Sequence, residues 1–179
     1  MAQSVFSRKT HGTAGTFDLP LPLTCNPGIE CRSGGATNDY TIVVAFLANV
    51  SVNGTPQAQV TSGTGTVGSG GVSNGGIVSV NGNIVTIPLT NVTNAQTINV
   101  TLFRVSDGSA DGNVVIPVSL LMGDTNGDRF VNSGDALQTR NRSGQVTDAT
   151  NFRSDINTEG FVNSGDTSIV RANSGNFVP

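Results

Sequence analysis

The sequence predicts a mainly β protein in which an N-terminal β-sandwich precedes a smaller segment of a different kind. Composition is the first observation: 23 of the 179 residues are glycine, 12% are charged and 5% are aromatic, which favours short strands and turns over long helices. Apolar runs of strand length upstream of Met122 are the second, and an internal repeat downstream of it is the third. We therefore expect two domains, at residues 1–122 and 123–179.

Seven apolar runs of strand length lie between turn-forming residues in the first domain. They cover residues 16–19, 40–47, 57–61, 77–80, 83–89, 97–105 and 113–121. In the sixth run, Ile98, Val100 and Leu102 share one face, which is the pattern of a half-buried strand. The pair Asn81-Gly82 between two runs indicates a hairpin. Short strands at this spacing predict a two-sheet sandwich.

Other parts of the first domain carry weaker signals. The glycine-rich tract at residues 62–71 predicts either a long exposed loop or an edge strand. Residues 3–6 could add as an extra strand to the sheet edge of a neighbouring molecule. The single histidine, His11, stands beside Gly12, and we expect it at the surface.

Charge and apolar length argue against several classes of function. The net charge is −3 and the nine lysines and arginines are scattered, so the sequence contains no basic stripe for a nucleic-acid backbone. No apolar run reaches the roughly 18 residues that a membrane-spanning helix needs. The sequence also lacks a nucleophile with a base, a catalytic carboxylate pair and a phosphate-binding loop. We therefore predict no catalytic residues, and an enzyme is the least expected class.

The two cysteines point to export. Cys25 and Cys31 bracket the turn-forming pair Pro27-Gly28, which would bring the two sulfur atoms together. A disulfide closing so short a loop would stabilise the fold by roughly 2–3 kcal/mol. We expect this bridge, and with it an extracellular or cell-surface location. The alternative is a pair of free thiols in a cytosolic protein.

The segment after Met122 is duplicated with an offset of 31 residues. Residues 124–144 and 155–175 are identical at eleven of twenty-one positions. A repeat of this length is typical of two copies of one supersecondary unit that bury a shared face. The spacing of oxygen-bearing side chains within each copy indicates calcium. A calcium loop supplies side-chain oxygens from positions 1, 3, 5, 9 and 12 and a carbonyl from position 7.

Both copies carry an oxygen at each of these positions. In the first copy the predicted ligands are Asp124, Asn126, Asp128, Asn132 and Asp135, with the carbonyl of Phe130. In the second copy they are Asp155, Asn157, Glu159, Asn163 and Asp166, with the carbonyl of Phe161. The sequence therefore predicts two Ca²⁺ ions as cofactors. Asx-rich turns without metal are the alternative.

The two loops differ at position 6, where a sharp turn with positive φ favours glycine. The second copy has Gly160 there and the first has Arg129, so we expect the second loop to bind calcium more tightly. Glu159 is longer than aspartate and could ligate through water. At position 8, Val131 and Val162 are expected to point inward and to pair the two loops back to back.

Residues 123–175 resemble a dockerin type I domain. The resemblance implies a small α-helical domain with paired EF-hand-type calcium loops, each followed by a short helix, here at 136–142 and 167–173. It also implies a docking face for a cohesin, which is a β-sandwich partner. Carried over residue by residue, this face consists of Ser133, Gly134 and Arg140 in the first copy and Ser164, Gly165 and Arg171 in the second.

Two functional hypotheses follow, both for an extracellular and non-enzymatic calcium-binding protein. In the first, the chain is an assembly protein whose dockerin-like tail docks onto the cohesin-like or immunoglobulin-like sandwich of another copy, which gives a head-to-tail fibre. In the second, it is an adhesion or anchoring module of a larger bacterial surface protein that docks onto a separate cohesin-like partner. The upstream region is similar to modules that precede dockerin-like repeats in such proteins.

Overall fold

A computed structural model describes residues 2–68 and 74–179. Two α-helices and fourteen β-strands form the regular structure of these residues. The strands are β1 (Ala2–His11), β2 (Gly15–Pro20), β3 (Gly28–Glu30), β4 (Tyr40–Phe46), β5 (Ser51–Val52), β6 (Ala58–Ser62), β7 (Thr66–Val67), β8 (Gly75–Gly76), β9 (Ser79–Asn81), β10 (Ile84–Thr90), β11 (Gln96–Ser106), β12 (Asp111–Leu120), β13 (Gln145–Val146) and β14 (Phe161–Val162). The helices are α1 (Ser133–Asn141) and α2 (Ser164–Ala172).

Two sheets make up the part of the chain from residue 2 to residue 121, which we call the two-sheet region. The first sheet has the strand order β2-β1-β4-β10-β7, with β9 also paired to β10. The second has the order β3-β12-β11-β6-β8, with β5 also paired to β11. All pairings are antiparallel except that of β3 with β12, which is parallel.

The two sheets share one hydrophobic core. Side chains alternate between buried and exposed along the strands, so that Ile42 and Ile87 from the first sheet meet Val100, Leu102 and Ile116 from the second. Burying such β-branched and aliphatic side chains stabilises the fold by roughly 1.5–3 kcal/mol each. The protein is therefore mainly β with two helices, as the composition and the apolar runs predict.

The seven predicted strands coincide with observed strands, shifted by no more than two residues at most of their ends. The Asn81-Gly82 hairpin is confirmed, because β9 and β10 pair antiparallel and Gly82 has a φ of 59°. Part of the glycine-rich tract forms β7, which pairs with β10 at the edge of the first sheet. The end of the tract, residues 69–71, lies outside the described residues.

Strand β1 was not among the predicted strands. It lies inside the first sheet, between β2 and β4, with Val5 opposite Val44. Residues 4–6 pair with β4 in their own sheet, and the addition of residues 3–6 to a neighbour's sheet stays a prediction. Apolar side chains alternate poorly along this strand because buried Ser7 and His11 take core-facing positions. The expectation that His11 is a surface residue is therefore wrong.

The predicted disulfide is absent, since Cys25 and Cys31 are free thiols. Cys31 directly follows β3, whose parallel pairing with β12 turns the Cys31 side chain into the core, where its thiol donates to the carbonyl of Arg153 at 3.6 Å. Cys25 lies exposed in the preceding loop, with a φ of 67°. The turn signal between them brings the backbone round but directs the two side chains apart.

The two thiols are expected to differ in reactivity. Burial raises the pKa of the Cys31 thiol to about 11, so that it stays protonated and shielded at pH 8. Iodoacetamide should therefore modify only Cys25 in the native protein and both thiols in urea, as counted by mass spectrometry. Modification of neither thiol before reduction would instead indicate the disulfide.

The two helices begin with the same N-terminal cap. Asn132 and Asn163 are the N-cap residues, each with a φ of −145° and a ψ of −168°. Asp135 and Asp166, three residues later, complete a capping box by accepting from the N-cap backbone. The helices therefore start three residues earlier than predicted, because the cap fixes the chain before the apolar pattern begins.

The loops pair crosswise rather than with each other. The strand in the second loop, β14, pairs with β13, which follows α1. In the first loop, Phe130 forms a bridge with Phe177, which follows α2. Val131 and Val162 are buried as expected, but the back-to-back pairing of the two loops is wrong. Each loop instead takes its backbone partner from the segment that follows the other copy's helix.

Candidate calcium sites

The first loop gathers carboxylates at one point. Asp124, Asp128 and Asp135 each place an oxygen within 4.8 Å of the others. Asp124 and Asp135, at the first and last positions of the loop, are fully buried, whereas Asp128 is exposed. Negative charges held this close repel each other unless a cation lies among them.

Backbone N–H groups of the loop wrap around its first carboxylate. Oδ1 of Asp124 accepts from Gly127 at 2.7 Å and from Asp128 at 3.2 Å. Its Oδ2 accepts from Arg129 at 2.9 Å. These bonds curl the chain around the point that a metal ion would occupy, so the loop shape is set before the ion binds.

The last carboxylate of the loop joins it to its helix. Oδ1 of Asp135 accepts from the backbone of Thr125 at 2.9 Å and of Asn126 at 3.1 Å. Its Oδ2 accepts from the N-cap residue Asn132 at 2.9 Å. One side chain on α1 therefore fixes both ends of the loop, and any ion bound there is coupled to the position of the helix.

The second loop repeats this arrangement. Asp166 on α2 accepts from Ile156 at 2.7 Å and from Asn157 at 3.2 Å, and also from the N-cap residue Asn163 at 2.9 Å. The side-chain amide of Asn163 donates to the carboxylate of Glu159. In the second loop the predicted ligands Glu159 and Asn163 are therefore in contact, whereas among the described residues the close approach of three carboxylates is found in the first loop.

Both loops have two residues with positive φ, but the one that is not glycine stands at a different position in each loop. The first loop has positive φ at Gly127 (79°) and Arg129 (74°), and the second at Thr158 (59°) and Gly160 (100°). Each loop thus carries one glycine and one residue with a side chain in the left-handed region. Thr158 is β-branched, for which this region is especially unfavourable. The glycine at position 6 therefore gives no reason to expect tighter binding by the second loop.

The turn between β1 and β2 packs directly on the second loop. The backbone N–H of Gly12 donates to the carbonyl of Thr158 at 2.9 Å. A Cβ at Gly12 would lie 2.1 Å from the carbonyl oxygen of Glu159, and one at Gly160 would lie 3.0 Å from that of His11. Both glycines are needed because two backbones approach each other closely here.

The two-sheet region also holds the first ligand of the second loop. Asp155 is fully buried, and its Oδ2 accepts from His11 Nδ1 at 2.8 Å and from the Thr147 hydroxyl at 2.7 Å. The backbone of Gly160 donates to the same oxygen at 2.9 Å. Oδ1 accepts from Glu159 N at 3.1 Å and faces the loop. Such outer hydrogen bonds orient metal ligands.

A buried ion pair fixes which ring nitrogen of His11 donates. Nη1 of Arg32 lies 3.3 Å from His11 Nε2, and arginine can only donate, so Nε2 accepts. Nδ1 therefore carries the ring proton and donates a hydrogen bond to Asp155. Arg32 in turn contacts Glu30 through Nε at 2.8 Å and Nη2 at 2.7 Å, with both side chains fully buried.

The first carboxylates of the two loops, Asp124 and Asp155, have pKa values shifted in opposite directions. Burial raises the pKa of Asp124 above its usual range, and the nearby Asp135 raises it further. Hydrogen bonds from the backbone N–H groups of Arg129 and Gly127 lower the pKa but do not cancel this rise. Burial acts on Asp155 in the same direction, but the hydrogen bonds from His11, Thr147 and Gly160 outweigh it and lower its pKa. The second loop therefore keeps its first ligand ionised.

Calcium fits both loops. Each loop presents carboxylate and amide oxygens and no sulfur or imidazole nitrogen among the predicted ligands, which is the donor set of a hard cation. His11 contacts its carboxylate from outside the ligand set. When bound, the ion would neutralise the gathered carboxylates at the start of each helix.

The residues predicted to form two docking faces do not lie on two separate surfaces. Ser133, Gly134 and Arg140 line one groove of about 620 Å³, and Arg171 of the second copy lines it too. Leu137 also lines this groove and is 52% exposed. Ser164 and Gly165, the rest of the second face, are exposed and do not line the groove.

Sequence reasoning missed three residues around the second loop: His11, Arg32 and Thr147. Each is fully or almost fully buried, and its partner lies 144 residues away for His11, 21 for Arg32 and 8 for Thr147. No local pattern marks them. The lone histidine was the only available signal, and its partner Asp155 lies 144 residues away.

The duplicated loops, each joined to a capped helix through a buried aspartate, give the C-terminal region two candidate calcium sites. Residues 122–173 match the family model of the dockerin type I domain. Dockerin domains bind calcium and dock onto cohesin partners. No curated protein and no solved structure matches the chain. Among the described residues, no helix is long and apolar enough to cross a membrane.

Proposed function

We propose that the chain is an extracellular, non-enzymatic assembly protein, in which a β-sandwich at residues 1–122 carries a dockerin domain at residues 123–179. The observation that carries this proposal is the duplicated loop, which in both copies is fixed to a helix through its last aspartate and in the first copy gathers three carboxylates around one point. Two sheets around one core support the sandwich, and the dockerin match supports the docking function.

Two calcium ions bind per chain in this proposal, one in each loop. The ligands are the ten side chains and two carbonyls that the spacing predicts. Each ion draws the carboxylate at the end of its loop, Asp135 or Asp166, into its coordination sphere. Because these carboxylates lie in the first turns of α1 and α2, calcium sets the relative positions of the two helices.

The docking surface is the groove between the helices, together with the exposed Ser164 and Gly165. Arg140 and Arg171 are exposed and form no side-chain hydrogen bond with any described residue, so both guanidinium groups are available to a partner. Exposed Leu137 lines the same groove. A groove that presents an apolar side chain and two free arginines is suited to an acidic protein surface with an apolar centre.

The partner in the first version of the proposal is another copy of the chain, which gives a head-to-tail fibre. In the second version it is a separate cohesin-like protein, and the chain is an adhesion or anchoring module of a surface protein. The extracellular location rests on the dockerin match, since dockerin proteins are typically extracellular or on the cell surface. The free cysteines no longer support it.

Calcium-dependent docking through the groove is tested by sedimentation velocity of the full chain at rising concentration, in calcium and in chelator. We expect assembly in calcium, dispersal in chelator, and loss of assembly in Arg140→Glu/Arg171→Glu. The matched control is Arg104→Glu, which reverses an exposed charge on β11. Assembly that is unchanged by chelator or by the double variant would contradict docking by this surface. A monomer at all calcium concentrations would leave only the version with a separate partner.

A further inference from the structure

The two-sheet region is open at one end. Strand β2 pairs with β1 from Phe6 onward, and β3 pairs with β12 only at residues 118–120. Residues 2–4 of β1 and 111–117 of β12 therefore have no strand on their outer side among the described residues. The two unpaired stretches belong to different sheets and both lie at the starts of their strands.

An apolar groove of about 900 Å³ lies between these stretches. Its lining includes the core side chains Val5, Leu21 and Phe46 and the exposed edge residue Val115. Among the described residues that line it, Asp107 and Asp111 are the charged ones. We call this feature the open pole.

The open pole and the dockerin region lie at opposite ends of the same strands. Strand β1 starts at the open pole and ends at His11, which contacts the second calcium loop. Strand β12 likewise starts at the open pole and ends at Leu120, just before the dockerin region. Ten residues of strand span about 33 Å, so the two surfaces cannot meet within one chain.

The charges of the two surfaces are complementary. Arg140 and Arg171 of the helix groove have no partner among the described residues, and the carboxylate of Asp111 likewise makes no hydrogen bond with them. Asp107 uses one oxygen, Oδ1, for the turn with Ser109. One groove is lined by two arginines and an exposed leucine, and the other by two aspartates and mostly apolar side chains.

We propose that the open pole of a second copy is the acceptor for the dockerin helices, with Leu137 entering the apolar groove and Arg140 and Arg171 facing Asp107 and Asp111. This inference rests on the proposed docking function and specifies its partner site. The contact is heterologous, because the two surfaces differ and lie at opposite ends of the chain. Repetition of such a contact builds an open linear fibre.

Calcium also favours this contact through net charge. Residues 123–179 contain five arginines and seven carboxylates, and residues 1–122 contain four basic and five acidic side chains. Both parts are negative without metal and repel each other. Two bound Ca²⁺ ions make the dockerin region positive, so it attracts the two-sheet region of the next copy.

A pair of charge-reversed chains tests the acceptor. In Asp111→Lys the two charges of the open pole cancel, and in Arg140→Glu/Arg171→Glu the helix groove carries two negative charges. Each variant alone should assemble at least tenfold more weakly than the unchanged chain in calcium, measured by sedimentation velocity. Mixed together they should associate again, because the unchanged helix groove of the first variant meets the unchanged open pole of the second. Asp39→Lys, an exposed reversal away from the open pole, is the matched control.

The outcomes separate this inference from the proposed function. If Asp111→Lys assembles normally and the arginine variant does not, the docking groove stands and the open pole is not its acceptor. If both variants assemble normally, both proposals fail. If each variant is weakened but the mixture does not recover, the two surfaces do not meet and the acceptor is overturned. Calcium titration of each variant confirms that its loops remain intact.

Discussion

Replacing Arg32 with methionine is expected to lower the free energy of unfolding by about 3–5 kcal/mol, because it leaves the charge of Glu30 buried without a partner. Both side chains have no exposed surface. Arg32 also donates to the carbonyls of Ser7 at 2.9 Å and Phe17 at 3.0 Å, so its loss frees two buried acceptors. The measurement is urea unfolding in saturating calcium.

Two further variants separate the effect of burial from the loss of an arginine. Arg8→Met removes an exposed ion pair with Asp18 and should change stability by no more than about 1 kcal/mol. Glu30→Gln/Arg32→Met removes both buried charges and should be more stable than Arg32→Met alone. A loss for Arg32→Met as small as that for Arg8→Met would show that the pair does not hold a buried charge.

Replacing His11 with leucine is expected to weaken calcium binding by the second loop about 10- to 100-fold. The imidazole donates to Oδ2 of Asp155, the oxygen that also accepts from the Gly160 backbone. Without this donor, the carboxylate loses orientation and its negative charge becomes less favourable in a buried place. His11→Asn should recover part of the affinity, since its amide can donate from nearly the same position as Nδ1.

Calorimetry on variants that keep only one functional loop shows which loop loses affinity. In Asp124→Ala the remaining heat reports the second loop, and adding His11→Leu should weaken it. In Asp155→Ala the heat reports the first loop, and adding His11→Leu should leave its affinity unchanged. An equal loss in both loops would mean that His11 acts only through general stability, and no loss in either would exclude a positioning role.

Local sequence signals predict most of the fold and the candidate ligands. Strand runs, the Asn81-Gly82 turn and the duplicated loop are read from neighbours within about a dozen residues, and the structure confirms the strands and the turn. The ligand spacing is local for the same reason. Each loop is a continuous segment whose aspartates bind its own backbone N–H groups, as Asp124 does with Gly127.

Features that depend on distant pairs could not be predicted. His11 is buried because β1 ends against a loop that comes 144 residues later, and nothing near His11 encodes that contact. The disulfide prediction failed for a related reason: a turn signal brings two segments together but does not fix which way Cys25 and Cys31 point. Arg129 was correctly placed at a strained turn, but the matching strain at Thr158 had no sequence signal.

Contacts between the two-sheet region and the C-terminal region determine how the chain responds to removal of calcium. A sandwich and a tail joined only by a linker would lose structure separately. Here Ser33 donates to the carbonyl of Ile156 at 2.8 Å and Gly123 to that of Cys31 at 2.9 Å, in addition to the bond between His11 and Asp155. Loss of calcium from the second loop should therefore loosen the end of β1 and the turn that follows it.

Calcium titration of the full chain by isothermal calorimetry tests the central claim most directly. The claim is that each copy of the repeat holds one ion between its buried first and last aspartates. The predicted result is two ions per chain, with one lost in Asp124→Ala and the other in Asp155→Ala. Binding of fewer than two ions by the unchanged chain, or two ions retained by either variant, would contradict it.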